Sequence, residues 1–119
     1  MSEIVYTYTR QQAIDDGMFV DVSETAKEAG IKIPVAVTSN LWHTHIVPND
    51  EERQNGQDEQ GRLWDVLTMF VHAARRTKDN FVEFEVLFSG IKIKIWGVIE
   101  AQSPTDPSPA INLLLPEDY

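Results

Sequence analysis

The sequence predicts an α+β domain in which one long amphipathic helix, about residues 60–77, packs on a three-stranded antiparallel sheet near the C-terminus. Three observations support this prediction. Apolar residues recur at helical spacing in the long segment, two alternating segments flank a tight turn at Ser89-Gly90, and a short strand with small helices precedes them. Because 119 residues fit one domain of ordinary size, we expect a single domain over residues 1–119.

The first quarter of the chain is predicted to hold short elements. Residues 4–8 alternate aliphatic, aromatic and threonine residues, which is typical of a strand. Two short helices follow over residues 9–17 and 23–30, because each begins at a helix-capping residue and ends at a glycine. The apolar residues 18–22 between them fit either a strand or an extended loop.

The middle of the chain combines an apolar run with a polar one. Residues 31–37 are mostly apolar, and Thr38 or Ser39 can cap a helix over residues 40–46. Residues 49–60 are polar throughout and carry no apolar anchor. They therefore predict a mobile connection or a functional loop.

The long helix is the clearest element, because its apolar residues follow the spacing of a buried stripe. The stripe consists of Leu63, Val66, Leu67, Phe70, Val71 and Ala74. Trp64 and Met69 widen it, and Trp42 lies on the apolar face of the preceding helix. Both tryptophans are therefore predicted to be core residues.

Strands are predicted for the rest of the chain. In residues 82–88 apolar side chains alternate with glutamates, and in residues 91–95 isoleucines alternate with lysines. In a hairpin, the glutamates and lysines would meet on the exposed face. A proline- and serine-rich linker over residues 103–109 is expected to lead to a last strand over residues 110–115.

The composition excludes several classes of protein. Without cysteine the chain forms no disulfides, zinc–thiolate sites, iron–sulfur clusters or cysteine nucleophiles. Its formal net charge of -9 opposes non-specific attraction to nucleic acid and to anionic membranes. The N-terminal residues lack the pattern of a secretory signal, and no apolar run is long enough to span a bilayer. We therefore expect a cytoplasmic protein that binds neither nucleic acid directly nor a membrane.

No motif indicates a cofactor or a metal. The sequence has neither a phosphate-binding glycine loop nor a Gly-x-Ser-x-Gly nucleophile elbow. His43 and His45 would face one side of a strand and could then hold a metal, but on the predicted helix they lie about 200° apart. We expect no cofactor and no metal, and the sequence leaves enzymatic activity open without offering a catalytic motif.

Four polar residues are candidates for a pocket, namely Asp21, Thr38, Arg62 and Asp65. Asp21 and Thr38 have apolar neighbours, so they could instead form turn and cap hydrogen bonds. Arg62 lies in the first turn of the long helix, where its charge opposes the helix dipole. It should therefore have a carboxylate partner, with Asp21 and Asp58 as the candidates.

An interaction surface is the other candidate site. Trp96 lies on the lysine-bearing face of its predicted strand, where it is either covered by an N-terminal helix or serves as a binding anchor. Several exposed acids are expected in or near the two N-terminal helices: Asp15, Asp16, Glu24 and Glu28. They either solvate the fold or, with residues 50–52, form one elongated face that imitates the phosphates of duplex DNA.

Segments spread along most of the chain resemble those of one family. They are QAIDDG from Gln12, VDVS from Val20, AKEAG from Ala26, PVAVT from Pro34, GRLWDVL from Gly61 and LPED from Leu115. Their order resembles that in an uncharacterised family of small bacterial, plasmid and phage proteins, a domain of unknown function. The sequence departs from the family pattern at residues 103–109, where the family typically has a Gly-Pro-Gly-Asp turn.

Two functions follow as expectations. The resemblance implies a small acidic accessory protein carried on a mobile genetic element, in a context where such proteins inhibit host nucleases or defence complexes by imitating DNA. The first expectation is therefore a non-enzymatic protein that binds another protein, of unknown identity, through one face. The alternative is a small enzyme or ligand-binding domain that uses the polar pocket. The sequence leaves the oligomeric state open.

Overall fold

The computed structural model describes residues 9–119 and shows a mixed α+β fold built on one five-stranded sheet. Its helices are α1 (Arg10–Asp15), α2 (Ser23–Glu28), α3 (Ser39–Leu41), α4 (Asp50–Gln54) and α5 (Glu59–Ala74). Its strands are β1 (Phe19–Asp21), β2 (Val35–Thr38), β3 (Phe81–Phe88), β4 (Ile91–Ser103) and β5 (Asp106–Leu114). A π-helical turn at Trp42–Ile46 continues α3, and a short 3-10 turn forms at Pro116–Asp118. The predicted strand over residues 4–8 lies outside the described residues.

The sheet has the strand order β1-β2-β5-β4-β3, so its central strand is the last one in the sequence. β3, β4 and β5 pair antiparallel, whereas β5 also pairs parallel with β2, with Val35 opposite Ile111. The predicted three-stranded sheet is therefore only part of a larger mixed sheet. β2 is a short, almost wholly buried apolar run. Such a run indicates a strand without indicating its partner.

The two faces of the sheet are covered by different helices, and we name the faces after them. On the α5 face, α5 packs along β3, whose apolar side chains Val82, Phe84, Val86 and Phe88 are buried. On the α1 face, Arg10 of α1 donates a hydrogen bond from Nε to Oδ1 of Asn112 in β5, at 2.9 Å. The alternate residues of β3, including Glu83 and Glu85, lie on this second face and are exposed.

Gly97 of β4 allows a close approach between α5 and the sheet. A Cβ atom at this position would lie 2.5 Å from Cε1 of Phe70 and 3.2 Å from Cδ2 of Leu113. The Phe70 ring is itself held edge-on against Phe84, with their centroids 5.9 Å apart. Only glycine therefore leaves room for the aromatic ring at this point of the helix–sheet contact.

The longest helix begins at Glu59 and ends at Ala74, before the predicted limit at residue 77. The chain tightens there, because the N–H of Arg76 donates to the carbonyl of Ala73, three residues back. Trp64 lies on the solvent side of this helix with 42% of its surface exposed, so its prediction as a core residue was wrong. Trp42 is half-buried and packs against the core. None of the helices in residues 9–119 has the length and apolarity required to cross a membrane.

Two segments predicted to be irregular contain regular structure. Residues 49–60 include α4, because Asn49 and Glu52 form a reciprocal capping box that satisfies two backbone N–H groups. Residues 103–109 are a tight turn followed by the start of β5, with Ser103 paired to Asp106. Prolines are tolerated there because β2 pairs with β5 only at residues 111–113, so one side of the strand is open near residues 107–109.

The helix caps were predicted in part. Thr9 caps α1 with a complete capping box, and Oγ1 of Thr38 accepts a hydrogen bond from the N–H of Leu41 at 3.2 Å. Ser23 is instead the first residue of α2 and does not cap it. Its Oγ accepts a hydrogen bond from the N–H of Val35 at 3.0 Å, which fastens α2 to β2.

Candidate functional site

The open edge of β3, called the β3 edge below, is the candidate functional site. β3 is an end strand of the sheet formed by residues 9–119, and it contains no proline. The N–H of Ile99 donates to the carbonyl of Asn80 at 2.8 Å, which shows which residues of β3 form hydrogen bonds with β4. Because hydrogen-bonded pairs alternate in antiparallel strands, the backbone groups of Phe81, Glu83, Glu85 and Leu87 point away from β4. They form a row of hydrogen-bonding groups that no other described strand uses.

A groove runs along this edge between β3 and α5. It consists of two adjoining hollows of about 410 and 560 Å³, and Met69 and Glu85 are among the residues that line both. Met69 of α5 is 42% exposed there, whereas the exposed side chains of Phe81 and Leu87 lie on the α1 face of the same edge strand. A backbone edge thus lies beside an exposed groove whose 410 Å³ hollow is mainly apolar, whereas His72, Arg76 and Thr77 make the other hollow partly polar. Exposed apolar surface of this kind often marks a binding site.

Arg62 is the centre of a second polar cluster. Only 7% of its surface is exposed, and its guanidinium lies 5.2 Å above the Phe88 ring. Nη1 donates to the carbonyl of His45 at 2.7 Å, and Nη2 donates to Oε2 of Glu52 at 2.7 Å. Nε donates to Gln57 at 3.0 Å. The carboxylate partner is therefore Glu52, and the expectation of Asp21 or Asp58 was wrong because Asp58 instead caps α5.

The same cluster holds the turn between β3 and β4. Ser89 has a positive φ of 52°, as does Gly90 at 81°, which is the geometry of the tight two-residue turn that the sequence predicts. Oγ of Ser89 donates to Oε2 of Glu52 at 2.6 Å. This hydrogen bond, with those from Asn49 and Arg62, lowers the pKa of Glu52 to about 2. The cluster therefore joins α4, α5 and the hairpin through an ionised carboxylate.

His45 belongs to the edge of this cluster. Its ring stacks on Phe88 with the centroids 6.0 Å apart. Burial lowers the pKa of His45, and the charge of Arg62 adds to this effect while Glu117 opposes it. His43 and His45 lie in the π-helical turn, and within residues 9–119 no group of three or more histidines, aspartates and glutamates is placed to hold a metal ion.

The four residues of the predicted polar pocket lie in different hydrogen-bond groups. Oγ1 of Thr38 donates to Asp118 at 2.7 Å, and Asp118 also accepts a hydrogen bond from Asn40. Oδ1 of Asp21 accepts hydrogen bonds from the N–H and Oγ of Ser23, at 3.0 and 2.6 Å. Arg62 and Asp65 line one hollow of about 760 Å³, whereas Thr38 lines another. The Asp21–Ser23 contact is a turn bond and the bond from the N–H of Leu41 to Thr38 is a cap bond, which are the alternatives that the sequence offered for these two residues.

A groove of about 670 Å³ lies on the α1 face of the sheet. Arg10, Thr38 and Asn112 are among its lining residues. Asn112 is buried, accepts a hydrogen bond from Arg10 and donates one to Glu100 at 3.0 Å. Among residues 9–119 no group forms a hydrogen bond with the buried Nη2 of Arg10, and burial lowers the pKa of this guanidinium although Asp21 and Glu100 oppose the effect.

Comparison with known proteins gives one match, which covers the whole chain. Residues 1–119 match the model of a family of unknown function, DUF6573. The chain belongs to this family. No curated protein and no solved structure matches it. The domain of unknown function that the sequence segments indicated is therefore confirmed, and the function of the DUF6573 protein has to be argued from its own residues.

Trp96 of the DUF6573 protein is half-buried on the α1 face. Its ring packs edge-on against Phe81 and Tyr119, with centroid distances of 5.1 and 5.6 Å, and Nε1 donates to Glu83 at 2.8 Å. In the part of the chain that the structure describes, its aromatic contacts therefore come from β3 and the C-terminal residue. The sequence offered an N-terminal helix as one candidate to cover Trp96, but these contacts are not with such a helix.

The acidic residues of the predicted interaction surface are exposed but divided. Asp15 and Asp16 lie at the end of α1, whereas Glu24 and Glu28 lie in α2. α2 packs against α5 and contributes Ala26 to the core on the α5 face. The two pairs thus belong to opposite faces of the sheet, which favours solvation of the fold over the alternative of one elongated acidic face.

The sequence predicts the strand β3 but does not show that it is an end strand of the sheet. The alternation in residues 82–88 indicates a half-buried strand, yet it gives no information on which strands flank it. Met69 was predicted to widen the buried stripe. Its exposure beside the β3 edge depends on the orientation of α5 about its own axis, which the sequence does not specify. An exposed large apolar residue at the boundary of a helical stripe was the only available signal.

Proposed function

We propose that this DUF6573 protein is a non-enzymatic interaction protein that adds an extended segment of another protein to the β3 edge. The observation that supports the proposal is an eight-residue end strand beside an exposed, partly apolar groove. Natural sheets usually protect an edge by shortening it, covering it or placing proline in it. The other end strand, β1, has only three residues, whereas β3 lacks both a proline and a covering strand among the described residues.

Binding by strand addition divides the recognition between backbone and side chains. The N–H and C=O groups of the β3 edge supply hydrogen bonds to any extended segment, without regard to its sequence. The hollows between β3 and α5 accept its alternate side chains and supply the selectivity. Such a site needs no catalytic group, only a rigid edge and a shaped groove.

The polar clusters support a non-enzymatic function. The guanidinium of Arg62 donates hydrogen bonds to Glu52, Gln57 and a backbone carbonyl. The hydroxyl of Ser89 donates a hydrogen bond to the carboxylate of Glu52 as well. Glu52 is held ionised by these donors, with its pKa near 2, so it is a weak base at neutral pH. These groups fix the hairpin beside the β3 edge, and their hydrogen-bonding capacity is used within the cluster.

A pair of variants at position 85 tests the proposal. In Glu85→Pro the missing N–H is one that points away from β4, so the internal ladder keeps its hydrogen bonds. In Glu85→Thr the N–H remains. Because both variants remove the carboxylate, the difference between them isolates the backbone donor and the free edge.

The assay uses peptides selected from a random phage-displayed library against the wild-type protein. We expect them to bind Glu85→Pro about tenfold more weakly than Glu85→Thr and to slow hydrogen exchange at the amides of Glu83, Glu85 and Leu87. Circular dichroism and thermal melts establish that both variants are folded. Equal affinities for the two variants, or protection confined to another surface, would refute strand addition.

A second candidate function is ligand binding in the groove on the α1 face. It is favoured by the buried Nη2 of Arg10, which has no hydrogen-bond partner within the described part of the chain and lies beside a groove that Thr38 also lines. A ligand with a carbonyl or carboxylate oxygen would supply that partner. A thermal-shift screen of small carboxylic acids should then raise the melting temperature of the wild type and leave that of Arg10→Lys unchanged. A flat response of both proteins removes this candidate.

The wider role of the protein is also part of the proposal. The resemblance of its segments supports an accessory protein carried on a mobile genetic element, with a host protein as its partner. A cytoplasmic location, and the lack of direct binding to nucleic acid, stay predictions from composition and charge.

A further inference from the structure

We infer that the segment bound at the β3 edge carries basic side chains at alternate positions, directly opposite Glu83 and Glu85. This inference rests on the proposed function and adds the chemistry of the partner to it. Glu83 and Glu85 are the two outward residues at the centre of β3, and both are exposed on the α1 face. They are flanked by the exposed apolar residues Phe81 and Leu87.

Strand geometry determines which partner residues meet these glutamates. In an antiparallel pair, residues directly opposite each other have side chains on the same face of the sheet, with Cα atoms about 5.5 Å apart when they exchange hydrogen bonds. The backbone groups of Glu83 and Glu85 point to the open edge. A residue that pairs with either one therefore places its side chain beside a carboxylate.

The charges around β3 leave this position open to a cation. On the side facing β4, Glu83 accepts a hydrogen bond from Trp96 at 2.8 Å, and Lys94 lies 3.9 Å from its carboxylate. Glu85 has no ion pair or hydrogen bond to its side chain among residues 9–119, although Lys94 is its cross-strand neighbour. Lys92 lines one hollow with Glu85, and Arg76 lines the other with both glutamates, but among residues 9–119 neither cation forms an ion pair with them, in a protein with a net charge of -9.

The same charges oppose the pairing of β3 with a second copy of itself. In the two most complete antiparallel registers that match the free backbone groups, Glu83 faces Glu85 of the other copy, or Glu85 faces itself. Like charges directly opposite each other destabilise a strand pair. The β3 edge is thus protected against self-association while it remains open to a basic strand.

The residues on the α5 side add a second requirement. Between the basic positions, side chains of the bound segment point into the groove, where Met69 and Ala73 offer apolar surface between polar residues at its rim, among them Asp65, His72 and Arg76. The two hollows, about 410 and 560 Å³, suit side chains such as valine or leucine. The partner segment is therefore an extended stretch in which lysine or arginine alternates with aliphatic residues.

Two blocked heptapeptides test the inference by isothermal titration calorimetry. The first has two lysines separated by one valine and flanked by valine and threonine, and the second has glutamine in place of each lysine. We expect the lysine peptide to bind about fivefold to tenfold more tightly at low salt, because two new ion pairs form. The difference should shrink as the salt concentration rises.

Matched variants locate the effect. Glu83→Gln/Glu85→Gln should abolish the preference for lysine, whereas Glu24→Gln/Glu28→Gln, with the same change of net charge on α2, should leave it intact. If both peptides bind equally and both protect the β3 amides from exchange, the basic partner is refuted and strand addition survives. If neither peptide binds or protects β3, and Glu85→Pro does not weaken the library-selected peptides, the proposed function itself fails.

Discussion

Replacing Gly97 by alanine tests the close contact between α5 and the sheet. The added Cβ would lie 2.5 and 2.9 Å from two carbons of the Phe70 ring, well inside van der Waals contact. The ring cannot simply turn aside, because Phe70 is only 3% exposed and packs edge-on against Phe84. Overpacking of a core costs about 1–3 kcal/mol, and the gain from removing a strand glycine returns about 0.5–1 kcal/mol. We therefore expect Gly97→Ala to lower the free energy of unfolding by about 1–2 kcal/mol.

Urea denaturation followed by tryptophan fluorescence measures this change. With a slope of about 1–3 kcal/mol per molar urea for a small protein, the midpoint should fall by roughly 0.5–1 M. A smaller side chain at position 70 relieves the clash, so Gly97→Ala should cost less in a Phe70→Leu background than alone. A midpoint that stays constant or rises in Gly97→Ala, or costs that simply add in the double variant, would show that this contact is not the tight point of the fold.

Three further predictions concern the polar clusters. Arg62→Met should lower the free energy of unfolding in urea by about 2 kcal/mol, because the carbonyl of His45 and the side chain of Gln57 lose a charged donor; a loss below 1 kcal/mol contradicts this. Because the pKa of Glu52 is lowered from 4.5 to about 2, its carboxylate stabilises the fold at pH values above about 4.5. This contribution should disappear as the pH falls from about 4.5 to about 2, and the stability of Glu52→Gln should change less over that range. Asp118→Ala should cost about 1 kcal/mol and speed hydrogen exchange at the amide of Leu115, because three donors lose their acceptor; unchanged exchange there argues against the contact.

Local sequence patterns predict the local structure of this protein well. The cap at Thr9, the turn at Ser89-Gly90 and the alternation in β3 depend on neighbouring residues only, and each appears in the structure. The helix α4 was missed because its apolar content is nil, and only the capping box at Asn49 and Glu52 marks it. The linker at residues 103–109 was misread because proline is usually evidence against a strand, although an unpaired side of β5 accepts it.

Long-range pairing was beyond the reach of the sequence. Nothing in residues 35–37 shows that they pair with residues 111–113 from the other end of the chain. The partner of Arg62 illustrates the same limit, since its need for a carboxylate was predictable from the helix dipole but the identity of Glu52 depends on a helix that was not foreseen. The β3 edge could not be identified from the sequence either. A strand is an edge only if no other strand pairs with one of its sides, and this depends on the strand order of the whole sheet.

The position of β5 at the centre of the sheet has a consequence for synthesis of the protein. While the ribosome is still making residues 106–114, β2 and β4 each lack the neighbour that joins them, and the sheet remains in two separate pieces. Nascent chains of this kind expose unpaired strands until β5 has left the ribosome. A protein cut short before residue 106 should therefore aggregate instead of forming a smaller version of the fold.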